Sequence, residues 1–222
     1  MSDVGAAPPP PPPPTEPPGG AVPGPYGAGG VSGVTEFDVV APLEIARWRP
    51  FVHWLLSIPL VIVLAVYGLV AFFVSIGGWF AALFTGRLPE WAVEWITRYG
   101  RFLWRVNSYY GFLREEYPSF TAPPGDADPH DDPAPVGFSS QTEPSRGLLL
   151  VKWLLVIPHA IVLSLLSIAV SVVQLIAAFA ILFTGAWPEG MRRFVIGFYR
   201  WSTRVYAYLY MLSDEYPPFS LD

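Results

Sequence analysis

Four arginines form the pattern in this chain with the most chemical specificity. Arg101 and Arg105 stand four residues apart, and Arg200 and Arg204 repeat that spacing 99 residues later. At about 100° per residue, Glu94, Arg98, Arg101 and Arg105 share roughly 60° of arc on a helix. In the second set, Arg193, Arg200 and Arg204 take the places of Glu94, Arg101 and Arg105. A guanidinium stripe has two uses. It can hold anionic groups such as lipid phosphates through charge-assisted hydrogen bonds, or it can form a structural ion-pair seam between helices. Glu94, Arg98, Arg101, Arg105, Arg193, Arg200 and Arg204 are therefore the candidate lipid or partner contacts. Little else suggests chemistry. There is no Ser-His-acid set, metal-ligand spacing or glycine phosphate loop, and the absence of cysteine excludes thiol chemistry. His53 and His159 lie alone in apolar runs and read as interfacial. The Asp128-Pro-His130-Asp131-Asp132 stretch reads as solvated acid rather than a cation site. No catalytic residue, metal or cofactor is assigned.

The elements that carry the stripe occur twice. Residues 54–120 and 153–219 align without gaps, with 26 of 67 positions identical. Each copy opens on an apolar run: 37 residues from Pro50 to Gly86, and 36 from Trp153 to Pro188, contain no Asp, Glu, Lys or Arg. A helix of that length is about 55 Å long, against a hydrocarbon core of roughly 30 Å. Even a tilt of about 40° uses only about 26 residues. Pro59 and Pro158 occupy one repeat position and predict a kink. The reading is an interfacial entry helix, a kink, and a span over 60–84 and 160–183, with a tight hairpin as the alternative. Gly86 and Gly185 predict a left-handed helix end. Pro89-Glu90 and Pro188-Glu189 predict the start of a second helix, over about 89–114 and 188–213. That helix either lies in the interface or crosses the membrane. Central charges cost roughly 2.5–3.5 kcal/mol each, so copy one, with four, leans to the interface. The positive-inside rule prefers an even number of crossings per copy and puts both termini in the cytoplasm.

Composition agrees with a membrane protein: 52% of the chain is hydrophobic, 16% aromatic and only 14% charged, where about a quarter charged is usual for soluble proteins. A net charge of −5 leaves no basic face for nucleic acid. Residues 1–33 form a Pro/Gly-rich tail expected to be disordered, with polyproline II at Pro8–Pro14. Thr35–Leu43 reads as a short extended piece. The domain plan is tail 1–33, membrane repeat 34–120, flexible acidic Pro-rich linker 121–145, and membrane repeat 146–222.

Trp153-Leu-Leu-Val-Ile-Pro-His159, Ala180-Ile-Leu-Phe-Thr-Gly185, Arg200-Trp-Ser-Thr-Arg-Val205 and Asp214-Glu-Tyr-Pro-Pro-Phe-Ser220 resemble the blocks of a bacterial membrane family, domain-of-unknown-function family 4389. The resemblance is close over 146–221 and looser over 47–120, where Leu60 replaces His159 and Ser119 replaces Pro218. It implies bacterial inner-membrane placement and brings no activity, cofactor or catalytic residue. The expected fold is all-α and multi-pass, with two tandem helical hairpins and about four membrane helices. The expected function is a non-enzymatic membrane scaffold or accessory subunit, whose partners are the lipid bilayer and other membrane proteins or itself. A small transporter or channel, and a membrane-shaping hairpin protein, are the alternatives.

Overall fold

The computed structural model describes residues 32–222; the tail expected over 1–33 lies, up to residue 31, outside the described residues. The order of elements is β1 (Val34–Phe37), α1 (Arg49–Thr85), α2 (Glu90–Tyr110), β2 (Val136–Phe138), α3 (Arg146–Leu155), α4 (Ile157–Thr184) and α5 (Glu189–Leu209). The fold is mainly helical, and the short extended piece near Thr35 is the strand β1. Its pairing with β2 corrects the all-α expectation.

The apolar run of copy one forms a single 37-residue helix, α1, with Pro50 in its first turn. It ends at Gly86, whose φ of 80° is the left-handed conformation that favours glycine. Gly185 ends α4 in the same way. The helix runs unbroken through Pro59, whereas copy two is interrupted at Val156, two residues before Pro158. Proline cannot donate to the carbonyl four residues back, which is that of Leu55 for Pro59 and of Leu154 for Pro158. One residue further on, Tyr117 Oη donates to the Leu56 carbonyl and Tyr216 Oη to the Leu155 carbonyl, both at 3.3 Å. The Glu-Tyr-Pro motif thus docks on the turn before the proline of its own repeat.

After the glycine turn, α2 folds back along α1. Tyr109 stacks on His53 at 4.1 Å near one end, and Tyr67 meets Phe102 at 5.2 Å near the middle. Gly78 lets Ala92 approach near the other end, where an added Cβ would lie 3.1 Å from that of Ala92. In copy two, Val156, Trp201, Val205 and Tyr208 form the matching contact between α4 and α5.

The two copies are interlocked about a pseudo-two-fold axis. Repeat-equivalent Phe37 and Val136 pair across the antiparallel β1–β2 ribbon. The Leu88 amide donates to the Thr142 carbonyl at 2.9 Å, and its counterpart Trp187 to Leu43 at 2.8 Å. Glu115 accepts the Ala46 amide at 2.5 Å, as Asp214 accepts the Ser145 amide at 2.6 Å. Arg146 lies against Gly86 and Arg47 against Gly185. The end of each long helix therefore meets the start of the other, and the two run antiparallel.

One side of each long helix is left uncovered. On α1 it carries Trp54, Ile62, Leu69, Phe73, Phe80 and Phe84; on α4 it carries Ile161, Leu165, Ile168, Leu175, Phe179 and Phe183. In the most apolar windows only 11% of α1 and 17% of α3–α4 is buried, unlike the core helix of a soluble domain. Among the described residues, these two helical runs are long and apolar enough to cross a membrane. α2 and α5 do not meet that test, so two candidates stand where about four membrane helices were expected.

Candidate functional site: the arginine ladder and its acidic strap

The faces of α2 explain the stripe. Phe102, Val106 and Tyr109 point at Leu60 of α1. Trp104 turns to the ribbon, 4.2 Å from Phe37, and its indole N–H donates to the Asp38 carbonyl at 3.1 Å. Arg101 and Arg105 occupy a third face and are fully buried. What covers them is the segment between the copies. It was expected to be a flexible linker and is instead an ordered strap. Asp128 accepts from Arg101 Nε at 2.9 Å, and neither side chain is exposed. Asp131 accepts from Arg105 Nη2 at 2.6 Å. Asp132 pairs with Arg114, which lies just beyond the end of α2. Asp128 also accepts the amides of His130 and Val136, at 2.8 and 3.0 Å. Arg101 donates further to the carbonyls of Pro123, Gly125, Asp126, Ala127 and Val136. Acids that read as solvated are therefore counter-ions, because buried guanidinium groups require them. Burial pulls Arg101 and Arg114 below the ordinary arginine range, and Asp128 and Asp132 respectively oppose that pull.

The strap follows α2 along its length. Its contacts run from Arg114–Asp132 through Arg105–Asp131 and Arg101–Asp128 to the Gly125 amide on Thr97 Oγ1. Beyond β2 it continues to Leu88–Thr142 and the exposed pair Arg87–Glu143. α2 itself, 21 residues long, rises about 30 Å, and the strap reaches past both of its ends.

Copy two is built differently. Arg200 donates to the Leu221 carbonyl and Arg204 to the Ser220 carbonyl, both at 3.5 Å, and Arg204 also to the main-chain oxygen of Asp222. Arg200 and Arg204 are buried, like their counterparts. The other candidates do not join them. Arg193 is exposed and pairs with Glu189 at 2.9 Å, one helical turn away. Arg98 lies over the Trp95 ring at 5.2 Å. Glu94 is exposed, and no ion pair joins it among the described residues. Both histidines are buried between helices rather than interfacial: the Tyr109 carbonyl lies 3.1 Å from His53 Nδ1, and His159 Nδ1 accepts from Trp201 Nε1 at 3.1 Å.

Several important residues were not singled out from sequence. Arg192 donates to the carbonyls of Ala41, Pro42 and Leu113 and ties α5 to the first copy. Lys152 is buried against Asp214 at 2.7 Å. Asp128, Asp131 and Asp132 match Arg101, Arg105 and Arg114 in number. That charge balance was the available signal.

These features define a class: a duplicated helical module with apolar outer helices and an internal ion ladder. The model of the family described as "Domain of unknown function (DUF4389)" matches residues 47–122 and again 146–220, and the chain belongs to that family in two tandem copies. No curated protein and no solved structure matches the chain.

Proposed function

We propose that this protein is a non-enzymatic scaffold that lies along the cytoplasmic face of the bacterial inner membrane. In this reading α1 and α4 rest in the interface, with their uncovered apolar sides dipped among the acyl chains. α2, α5, the ribbon and the strap stay on the water side and are offered to partner proteins. The observation that carries the reading is the course of the strap. Its polar contacts run beside α2, whose 21 residues rise about 30 Å, and continue past both ends of that helix to Leu88 and Arg114, so they cover a depth at least equal to the roughly 30 Å hydrocarbon core. If α1 stood upright, those acids and an open two-stranded ribbon would sit at membrane depth, where exposed backbone edges have no partner. Lying flat, α1 has room for all of its 37 residues. Zero is also an even number of crossings. All basic side chains then share one side, and the positive-inside bias makes that side cytoplasmic.

The test is chemical labelling, for which a chain without cysteine is convenient. Trp48→Cys and Arg87→Cys flank α1, and Val66→Cys sits near its middle on the uncovered side. With a membrane-impermeant maleimide, both flanking positions should react in inverted vesicles and neither in spheroplasts, while position 66 stays protected in both. Reaction of the two flanking positions from opposite sides would establish a crossing and end the in-plane reading.

A further inference from the structure

Between α1, α3 and the end of α5 lies a groove of about 400 Å³. Phe72, Ile76 and Trp79 line it from α1, Trp153 from α3, and Tyr210 and Met211 from just beyond α5. Phe72, Ile76 and Trp153 are exposed, whereas Met211 is buried at its base. The groove thus opens beside the uncovered side of α1, where Phe73 and Phe80 are exposed as well. From Phe72 to Trp79 the helix rises about 10 Å, so the opening is a slot along the helix.

Its chemistry restricts what can fill it. Ser75, also in the wall, donates to the Ala71 carbonyl of its own helix at 2.6 Å. Trp79 Nε1 donates to the Leu149 carbonyl at 3.0 Å, and Trp153 Nε1 to the Leu150 carbonyl at 2.7 Å. Tyr210 stacks its ring on Tyr206, 4.4 Å away. The serine and indole protons are therefore committed inside the chain, and a polar ligand would leave its own groups unpaired there. That argues against the chain's own Pro8–Pro14 run, because a polyproline backbone has no internal hydrogen bonds and its carbonyls need donors. A hydrocarbon chain needs none. Its methylenes would also supply the dispersion contacts that the lining of an unfilled groove forfeits.

The second copy does not repeat this lining. Ser171 stands in the place of Phe72, Ala178 in that of Trp79 and Gly111 in that of Tyr210, while Gln174 replaces Ser75. The Gln174 amide fills the space over Gly111, with Nε2 2.7 Å from where a Cβ would stand. The equivalent position is therefore polar and occupied by a side chain in copy two, and apolar and open in copy one. Lipid that merely surrounds the outer helices would treat the two copies alike, whereas a held chain would not.

We propose that this groove is a binding site for one acyl chain of a membrane phospholipid. The proposal rests on the reading that the uncovered apolar sides lie among acyl chains, and deepens it by naming what is held there. It does not require α1 to lie flat, so the cysteine labelling and the lipid labelling can fail separately.

The probe is phosphatidylcholine with a photoactivatable diazirine in one acyl chain, added to the full-length protein in neutral detergent. After irradiation, adducts are mapped by peptide mass spectrometry. Residues 72–79 and 209–211 should carry at least fivefold more label than their repeat counterparts 171–178 and 110–112. Ser75→Phe places a ring in the groove and gives up only a bond within its own helix. It should cut the label on 209–211 at least fivefold and leave that on Phe179 and Phe183 unchanged. Equal labelling of the two copies overturns the proposal, as does unchanged labelling of S75F. If S75F does not fold, as judged by circular dichroism, the comparison of the two copies in the unaltered protein still decides. Groove labelling that emerges only after residues 1–31 are removed would assign the groove to the proline run and overturn the proposal. Labelling that emerges only on dilution of the protein would assign it to a second copy of the chain, with the same consequence.

Discussion

Asp128→Asn tests whether the strap is held by its charges or merely laid on the helix. The side chain has no exposure, accepts Arg101 Nε at 2.9 Å and lies 3.9 Å from Arg105 Nη2. Asparagine keeps the size but removes the charge. One of its polar ends becomes a donor, in a place where Arg101 and the amides of His130 and Val136 are all donors. Arg101 would keep its carbonyl contacts but lose its counter-ion. Breaking a buried pair costs about 3–5 kcal/mol. For a domain of this size each kcal/mol moves the melting midpoint by about 2–4 °C, so the expected drop is about 6–20 °C. Asp131→Asn is the internal control. Its carboxylate is 53% exposed, and exposed pairs contribute at most about 1 kcal/mol, so its shift should stay below about 4 °C. The assay is thermal unfolding by circular dichroism in detergent, paired with limited proteolysis, in which D128N should open the strap between 121 and 135. Equal shifts for D128N and D131N, or an intact strap in D128N, would refute the view that buried counter-charge holds this segment.

Two further predictions concern the packing of the repeats and the pH response. A Cβ at Gly100 would stand 2.8 Å from Tyr206 and 2.9 Å from Phe138, whereas one at Gly190 meets nothing within 4 Å. Gly100→Ala should therefore destabilise by about 1–3 kcal/mol, while Gly190→Ala should be neutral or stabilise by up to about 1 kcal/mol; denaturant titration of the two variants measures both. His130 Nε2 donates to the Glu36 carboxylate at 2.8 Å across the ribbon edge, and this contact raises its pKa above the ordinary 6.5. A raised folded-state pKa gives stability that is present below the unfolded value and lost as pH rises through the folded one. Wild type should lose a small increment of melting temperature, relative to His130→Gln, as pH climbs past 6.5, and a difference that is flat across that range would remove the pair from the account.

Features local to the chain were legible from sequence. The duplication, the glycine ends at Gly86 and Gly185 and the start at Pro89-Glu90 follow from turn and helix-start chemistry. The second helices end at Tyr110 and Leu209, each four residues before the expected limit. The proline kink was less secure, because Tyr117 and Tyr216 lie 61 residues from the carbonyls they serve. The strap was the largest surprise. Composition alone gives a Pro- and Asp-rich segment nothing to bury. Its order comes from partners 18 to 28 residues earlier, on α2 and just past its end, where periodicity alone left both lipid contact and an ion-pair seam open.

The stripe was thus found, while its two uses, anionic contact and ion-pair seam, stayed open for a physical reason. Periodicity shows which residues share a face, but not what covers that face. Arg101 and Arg200 share a repeat position and a burial state, yet one meets a carboxylate and the other leaves two nitrogens unpaired. The difference is supplied by the chain outside the duplicated residues, which is free to vary while the helices keep their pattern. In copy one that chain brings three aspartates. In copy two the described residues bring main-chain oxygens of Ser220, Leu221 and Asp222 to the two guanidinium groups.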